Sequence, residues 1–210
     1  MVCPVFGELT PEIAVKFSYQ NAQFLTGAAH FAQLPVDCGF EVAFAGRSNV
    51  GKSSALNAIT GIGRLARASR TPGRTQQINF FALDATRRLV DLPGYGYAQA
   101  PADVQRRWQD LVTRYIHERR SLHGVVVLMD IRHPLTALDQ AMLQWCASHS
   151  RPAHVLLTKA DKLSRSAAQK ALHQMQTQLV GQSVQLFSAL RHYGVEEARA
   201  ILSQWLSIGA

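Results

Sequence analysis

Eight residues, Gly46-Arg47-Ser48-Asn49-Val50-Gly51-Lys52-Ser53, constrain this chain more than any other stretch. They spell G-x-x-x-x-G-K-[ST]. They stand between an apolar run, Phe40 to Ala45, that reads as a strand, and Ser54 to Ile59, which reads as a helix. Strand, loop and helix in that order are the setting in which such a loop curls around a phosphate. Gly46 and Gly51 supply the backbone freedom for the curl. The loop N–H groups and the helix N-terminus then face the anion. Lys52 brings positive charge to the β- and γ-phosphates, and Ser53 offers a hydroxyl to Mg²⁺.

A phosphate loop selects a nucleotide but not its base. Thr158-Lys159-Ala160-Asp161 follows a second apolar run, Ala153 to Leu157. Guanine presents a ring N–H beside an exocyclic amine, and one carboxylate can accept both. Asp161 is that carboxylate, and Lys159 can lay its alkyl stem along the base. Adenine has no such donor pair, which argues against an ATPase or kinase. Asp91-Leu92-Pro93-Gly94 follows the short apolar stretch Leu89 to Val90. An acid at a strand end can hold Mg²⁺ through a water, and the Gly94 N–H can approach the γ-phosphate. In Thr71-Pro72-Gly73-Arg74-Thr75, a region without apolar periodicity, Thr75 can complete the Mg²⁺ shell. Phe187-Ser188-Ala189, after Val184 to Leu186, can offer its backbone to the guanine O6.

In order and spacing these elements resemble the EngB (also YsxC or YihA) ribosome-biogenesis GTPases, a branch of the Era-like proteins. The resemblance rests on Gly46 to Ser53, on Thr71-Pro72-Gly73-Arg74-Thr75-Gln76, on Asp91-Leu92-Pro93-Gly94-Tyr95-Gly96-Tyr97-Ala98 and on Thr158 to Asp161. It runs from about Phe17 to Leu206. It implies a Ras-like, three-layer P-loop GTPase fold, with a mainly parallel sheet and helices on both faces. It implies that Gly73, Arg74, Thr75, Gln76 and Gln77 join the four motifs around GTP or GDP. Lys52, Thr75 and Gly94 are then the catalytic set, with Ser53 and Thr75 on the metal. The implied task is assembly of the large ribosomal subunit, with normal division and septation depending on it. A rival reading is a docking module that nucleotide merely stabilises. Ras-like enzymes carry a water-orienting Gln where this chain has Tyr95. Potassium-stimulated relatives carry Asn where this chain has Asn49, so K⁺ joins the expected ligands.

At 210 residues the chain can bury one sizeable core. The expected layout is an extension over 1–36, with Ile13 to Phe24 packed on the domain, and a GTPase domain over 37–210. No apolar run approaches the ~20 residues of a membrane helix. Met1 to Thr10 shows no secretory pattern, and Cys3, Cys38 and Cys146 form no disulfide framework. A cytoplasmic, monomeric protein is expected. The net charge of +8 is carried mostly by arginine. Arg64, Arg67, Arg70 and Arg74, the pair Arg87 and Arg88, and the set Arg106, Arg107, Arg114, Arg119 and Arg120 read as patches for ribosomal RNA. Trp108, Leu111, Val112, Tyr115 and Ile116 mark one helix face. Leu138, Met142, Trp145 and Cys146 mark another, and Val195, Ala198, Leu202, Trp205 and Leu206 a third. Strand and helix units in alternation bring all five motifs to the carboxyl ends of the strands.

Overall fold

The computed structural model describes residues 17–66, 77–96 and 102–207. Among them, seven strands make one sheet: β1 (Gln23–Ala28), β2 (Phe40–Gly46), β3 (Ile78–Ala82), β4 (Arg87–Asp91), β5 (Leu122–Asp130), β6 (Ala153–Thr158) and β7 (Ser183–Leu186). Their order across the sheet is β1-β3-β4-β2-β5-β6-β7. The five strands from β4 to β7 in that order pair in parallel, and β3 runs against both of its neighbours. The helices are α1 (Lys52–Thr60), α2 (Ala102–Glu118), α3 (Ala137–Ser148), α4 (Arg165–Gln178) and α5 (Val195–Trp205).

The layers follow from the period of two along the central strands. On β5, Val125, Val127 and Met129 enter one buried cluster and Val126 and Leu128 the other. The first cluster takes Leu111, Val112, Tyr115 and Ile116 of α2, Met142, Leu143 and Cys146 of α3, and Ala168 and Met175 of α4. The second takes Leu56 and Ile59 of α1 and Ala198, Leu202 and Trp205 of α5. Helices therefore cover both faces, which is why β2, β5 and β6 read as nearly unbroken apolar runs. The helix faces marked by periodicity are buried apart from Trp108 and Trp145, which are half-buried against the core, and Leu138, which is 42% exposed at the start of α3. β3 turns into β4 at Asp84-Ala85-Thr86, with the Asp84 carboxylate accepting from the Thr86 and Arg87 N–H groups at 2.8 Å each.

β1 lies in the stretch ahead of Phe40 that the sequence reads as an extension. Its first half is exposed and only Ala28 is buried, because it is an edge strand bonded on one side to β3. Such a strand carries no run of buried apolar residues for a periodicity to reveal. Tyr19 ties the same stretch to α5, its hydroxyl 3.1 Å from the Arg199 carbonyl and 2.9 Å from Ser203 Oγ.

The arginine patches need correction. Arg87, Arg88 and Arg119 are buried, not presented to a polyanion. Glu41, fully buried at the start of β2, collects two of them. Its Oε1 accepts from Arg88 Nη1 at 2.8 Å and Arg119 Nη2 at 2.6 Å. Its Oε2 accepts from Arg119 Nε at 2.9 Å and the Tyr115 hydroxyl at 2.8 Å. Arg87 donates to the Leu206 carbonyl at 3.0 Å and to Asp84 at 2.8 Å. A buried carboxylate needs cations, and these arginines supply them. Arg64, Arg106, Arg107, Arg114 and Arg120 are exposed, and Arg67, Arg70 and Arg74 lie outside the described residues.

Candidate guanine-nucleotide site

β2 ends at Gly46, and the loop turns into α1 through two left-handed residues, Asn49 at φ 62° and Gly51 at φ 104°. Asn pays a modest steric cost there and Gly none, so the sequence is suited to the curl. Ala55 N–H closes the first helical turn on the Gly51 carbonyl at 2.8 Å. Lys52 and Ser53 thus stand in the first turn of α1, where the helix field favours an anion. The Lys52 ammonium pairs with Asp91 at the end of β4, and both side chains are largely shielded from solvent.

The segment after β4 is sewn to the phosphate loop by backbone. Ser48 N–H donates to the Tyr95 carbonyl at 3.0 Å, and Tyr95 N–H donates to the Gly46 carbonyl at 3.2 Å. Between them Gly94 lies so close that an added Cβ would sit 3.2 Å from Ser48 N and Cα. The Tyr95 side chain leaves the loop altogether. It is 3% exposed, and its hydroxyl donates to Asp139 Oδ1 at 2.8 Å. Burial and then the neighbouring Asp139 charge push the phenol well above its usual pKa, so it stays a donor. The position that a water-orienting Gln occupies in Ras-like enzymes is therefore a core residue here.

The candidate base-reading residues meet the phosphate loop from the other side. Thr158 Oγ1 lies 2.7 Å from the Val50 carbonyl and 3.1 Å from the Met129 carbonyl. Lys159, at φ 58°, reaches the Asn49 carbonyl at 2.9 Å and Asp130 at 3.0 Å. Its alkyl stem therefore passes over the edge of the loop. Asp161 accepts from Ser188 Oγ at 2.5 Å, and Ala160 N–H donates to the Phe187 carbonyl at 3.1 Å. The Ser188 hydroxyl so fixes the plane of the carboxylate that the sequence assigns to guanine. The segment Ser188 to Tyr193 is closed by a pair of backbone hydrogen bonds, at 2.9 and 3.1 Å, and Ser188 at its start meets Asp161.

Of the sequence-derived candidates, Gly46 to Ser53, Asp91 to Gly94, Thr158 to Asp161 and Phe187 to Ala189 come together at the carboxyl ends of β2, β4, β6 and β7. Gln77 is exposed ahead of β3. Gly73, Arg74, Thr75 and Gln76 lie outside the described residues. Three contributors had escaped the sequence reading. Asp130, at the end of β5, pairs with Lys159 and Arg132; the Arg132 hydrogen bond holds its carboxyl far below the usual range. Its position at the end of an apolar run, like that of Asp91, was the available signal. Asp139 holds Tyr95, and it sits in a T-x-x-D pattern opening a helix. Asn57 of α1 accepts from Ala66 N–H at 2.9 Å and donates to the Gly63 carbonyl at 3.1 Å, shaping the loop after α1; no sequence pattern marks it.

The model of the family described as 50S ribosome-binding GTPase matches residues 41–159, from the first residues of β2 to the base-reading loop. The "Probable GTP-binding protein EngB" of Coxiella burnetii (strain CbuK_Q154) is 56% identical over 194 residues, covering 90% of this chain and 95% of that protein. The chain belongs to the EngB family of P-loop GTPases. A crystal structure of a probable GTP-binding protein engB shares the fold, with a TM-score of 0.66 at 22% identity over 79% of this chain and 98% of that one. Era, in complex with MgGDPNP and nucleotides 1506-1542 of 16S ribosomal RNA, also shares it, with a TM-score of 0.63 at 16% identity over 82% of this chain and 58% of Era. As in the family, the reaction is hydrolysis of GTP to GDP and phosphate. No helix among the described residues is long and apolar enough to cross a membrane.

Proposed function

We propose that this GTPase is a nucleotide-operated switch that assists assembly of the large ribosomal subunit in the cytoplasm, with normal division and septation depending on that supply. The observation that carries the switch is the backbone seam between the phosphate loop and Gly94-Tyr95. A γ-phosphate arriving at this seam meets the Gly94 N–H directly, so the seam registers GTP against GDP. Lys52 and the loop N–H groups from Asn49 to Ser53 hold the phosphates, and Asp161 with Ser188, Lys159 and Ala189 holds guanine. The large subunit as target follows the description of the family that matches, and Era's RNA-bound structure supports an RNA-containing partner. Of the patch arginines among the described residues, Arg64, Arg106, Arg107, Arg114 and Arg120 are the ones at the surface that such a partner would meet. On this reading the described part of the extension, residues 17–36, belongs with the GTPase domain of 37–210, because Tyr19 and β1 pack on it.

The residues fit Mg²⁺. Ser53 stands in the first turn of α1 and Asp91 ends β4 against the Lys52 ammonium, so a hydroxyl and a carboxylate, both hard oxygen donors, belong to residues at the phosphate seat. When bound, the ion neutralises charge on the β- and γ-phosphates, and Ser53 and Thr75 would hold it. Potassium is a further proposed ligand. Asn49 is exposed at a left-handed turn of the phosphate loop, where its hard side-chain oxygen can serve a monovalent ion. Turnover in KCl and NaCl at matched ionic strength, with Asn49→Ala, decides this; equal rates in both salts would exclude it.

Sedimentation with large-subunit precursors tests the main reading. Binding should be tighter with a GTP analogue than with GDP, and should weaken steeply with salt as counterions are released. Equal binding in both nucleotide states would leave only the passive docking module. A normal ribosome gradient in depleted cells would remove the assembly role.

A further inference from the structure

The seam has an anchor of its own. Tyr95 is bonded to the phosphate loop by its main chain and to α3 by its side chain. The acceptor, Asp139, is 1% exposed and is itself immobilised. Its Oδ2 takes the Thr136 N–H at 3.0 Å and the Thr136 hydroxyl at 2.8 Å, in the capping box that opens α3. Oδ1 is left to the phenol. The Tyr95 ring packs at 6.5 Å, tilted by 50°, from Trp108 of α2, and Tyr95 belongs to the same buried cluster as Met142 and Cys146 of α3. One side chain thus joins the residue after Gly94 to two helices of the core, through a rigid aromatic body and one hydrogen bond to a buried carboxylate.

We propose that Tyr95 is a positioning residue, a latch whose bond to Asp139 fixes the Gly94 N–H at the place where the γ-phosphate is met. The proposal rests on the placement of the γ-phosphate at Gly94 given above. The physical argument is one of pre-organisation. A donor aimed at developing charge is effective when it need not reorganise during the reaction. The peptide of a glycine has no side chain to hold it, so its neighbours must do so. On one side the neighbour is Pro93, buried and with φ fixed by its ring. On the other it is Tyr95, held at 2.8 Å by Asp139. The residue that replaces the usual water-orienting amide then aids the reaction without touching the water. It also gives α3 a direct link to the nucleotide seat, so anything that displaces the start of α3 is felt at Gly94.

Two variants disrupt the bond from opposite ends, one by removing the donor and the other by removing the charge of the acceptor. Tyr95→Phe removes only the hydroxyl, and Asp139→Asn keeps the shape of the acceptor while altering its donors and acceptors. Each should lower kcat for GTP about tenfold, as loss of a hydrogen bond to a charged group implies. KM for GTP and affinity for GDP should stay within about twofold, because base and inner phosphates are bound elsewhere. The double variant should be no slower than the slower single one. A merely structural bond would instead weaken GDP and GTP alike and lower the melting temperature in step. That result, or unchanged kcat in Tyr95→Phe, overturns the latch. Gly94→Ala separates the two levels of the argument. If it lowers kcat while Tyr95→Phe does not, the γ-phosphate seat stands and the latch falls. If Gly94→Ala hydrolyses GTP normally, the seat itself is misplaced and the latch falls with it. Should Tyr95→Phe not fold, Asp139→Asn carries the same comparison.

Discussion

Glu41→Gln is the substitution whose consequence the structure defines most sharply. The wild-type carboxylate is fully buried and accepts four hydrogen bonds, three of them from Arg88 and Arg119 and one from Tyr115. Glutamine has nearly the same shape but removes the charge and turns an NH₂ toward donors. Breaking a buried ion pair from one side costs about 3–5 kcal/mol, because the partner charge stays buried. Both arginines retain other acceptors. Arg119 reaches the Pro35 carbonyl at 2.7 Å, and Arg88 the Cys38 carbonyl at 3.0 Å. The loss should therefore fall at the lower end, about 3 kcal/mol. For a domain of this size each kcal/mol lowers the melting temperature by about 2–4 °C, so a drop of roughly 6–12 °C is expected. Urea unfolding followed by circular dichroism gives the free energy independently, with an unchanged slope if the denatured state is unaffected. Tyr115→Phe removes one hydrogen bond and no cation, and should cost only about 1 kcal/mol. GDP affinity should persist in folded Glu41→Gln, since Glu41 opens β2 and the phosphate loop follows its other end. A loss below about 1 kcal/mol for Glu41→Gln would refute the argument, because it would mean the arginines need no counter-charge.

Three further outcomes follow from the site and its surroundings. Asp161→Asn should weaken GTP by about 2–4 kcal/mol and turn preference toward xanthine nucleotides, since an amide can donate to the xanthine oxygen but cannot accept two donors; competition binding with GTP and XTP reads this, and intact guanine preference would free Asp161 of the role. Thr158→Val keeps the shape but leaves the Val50 carbonyl without its side-chain donor, so fluorescent GDP and GTP analogues should both bind about tenfold more weakly. Burial holds the His154 imidazole below its usual pKa, so on acidification the unfolded chain takes up the proton first. The stability it contributes is present above about pH 6.5 and is lost as pH falls through the lowered folded value; melting temperatures at pH 7.5 and 5.5 should differ less in His154→Asn than in wild type.

Short-range motifs were the most legible feature of the amino-acid sequence. A phosphate loop, a strand-end acid and the carboxylate proposed for guanine each need particular residue types at fixed spacing, so Gly46 to Ser53, Asp91 to Gly94 and Thr158 to Asp161 stand out as candidates one by one. Central strands buried on both faces declare themselves too, because β2, β5 and β6 have no polar alternation to hide them. An edge strand has no such signature, so β1 emerged only from its pairing with β3. Charge was the least legible property. Arg88 and Arg119 look like surface cations in sequence, and only folding brings them onto Glu41, 47 and 78 positions away along the chain. The same holds for Tyr95. In sequence it is a glutamine's replacement; in space its hydroxyl finds Asp139, 44 residues on. Spacing along a chain reports what a motif's own backbone brings together, whereas the partner of a buried polar group is chosen by whichever distant element the packing places beside it.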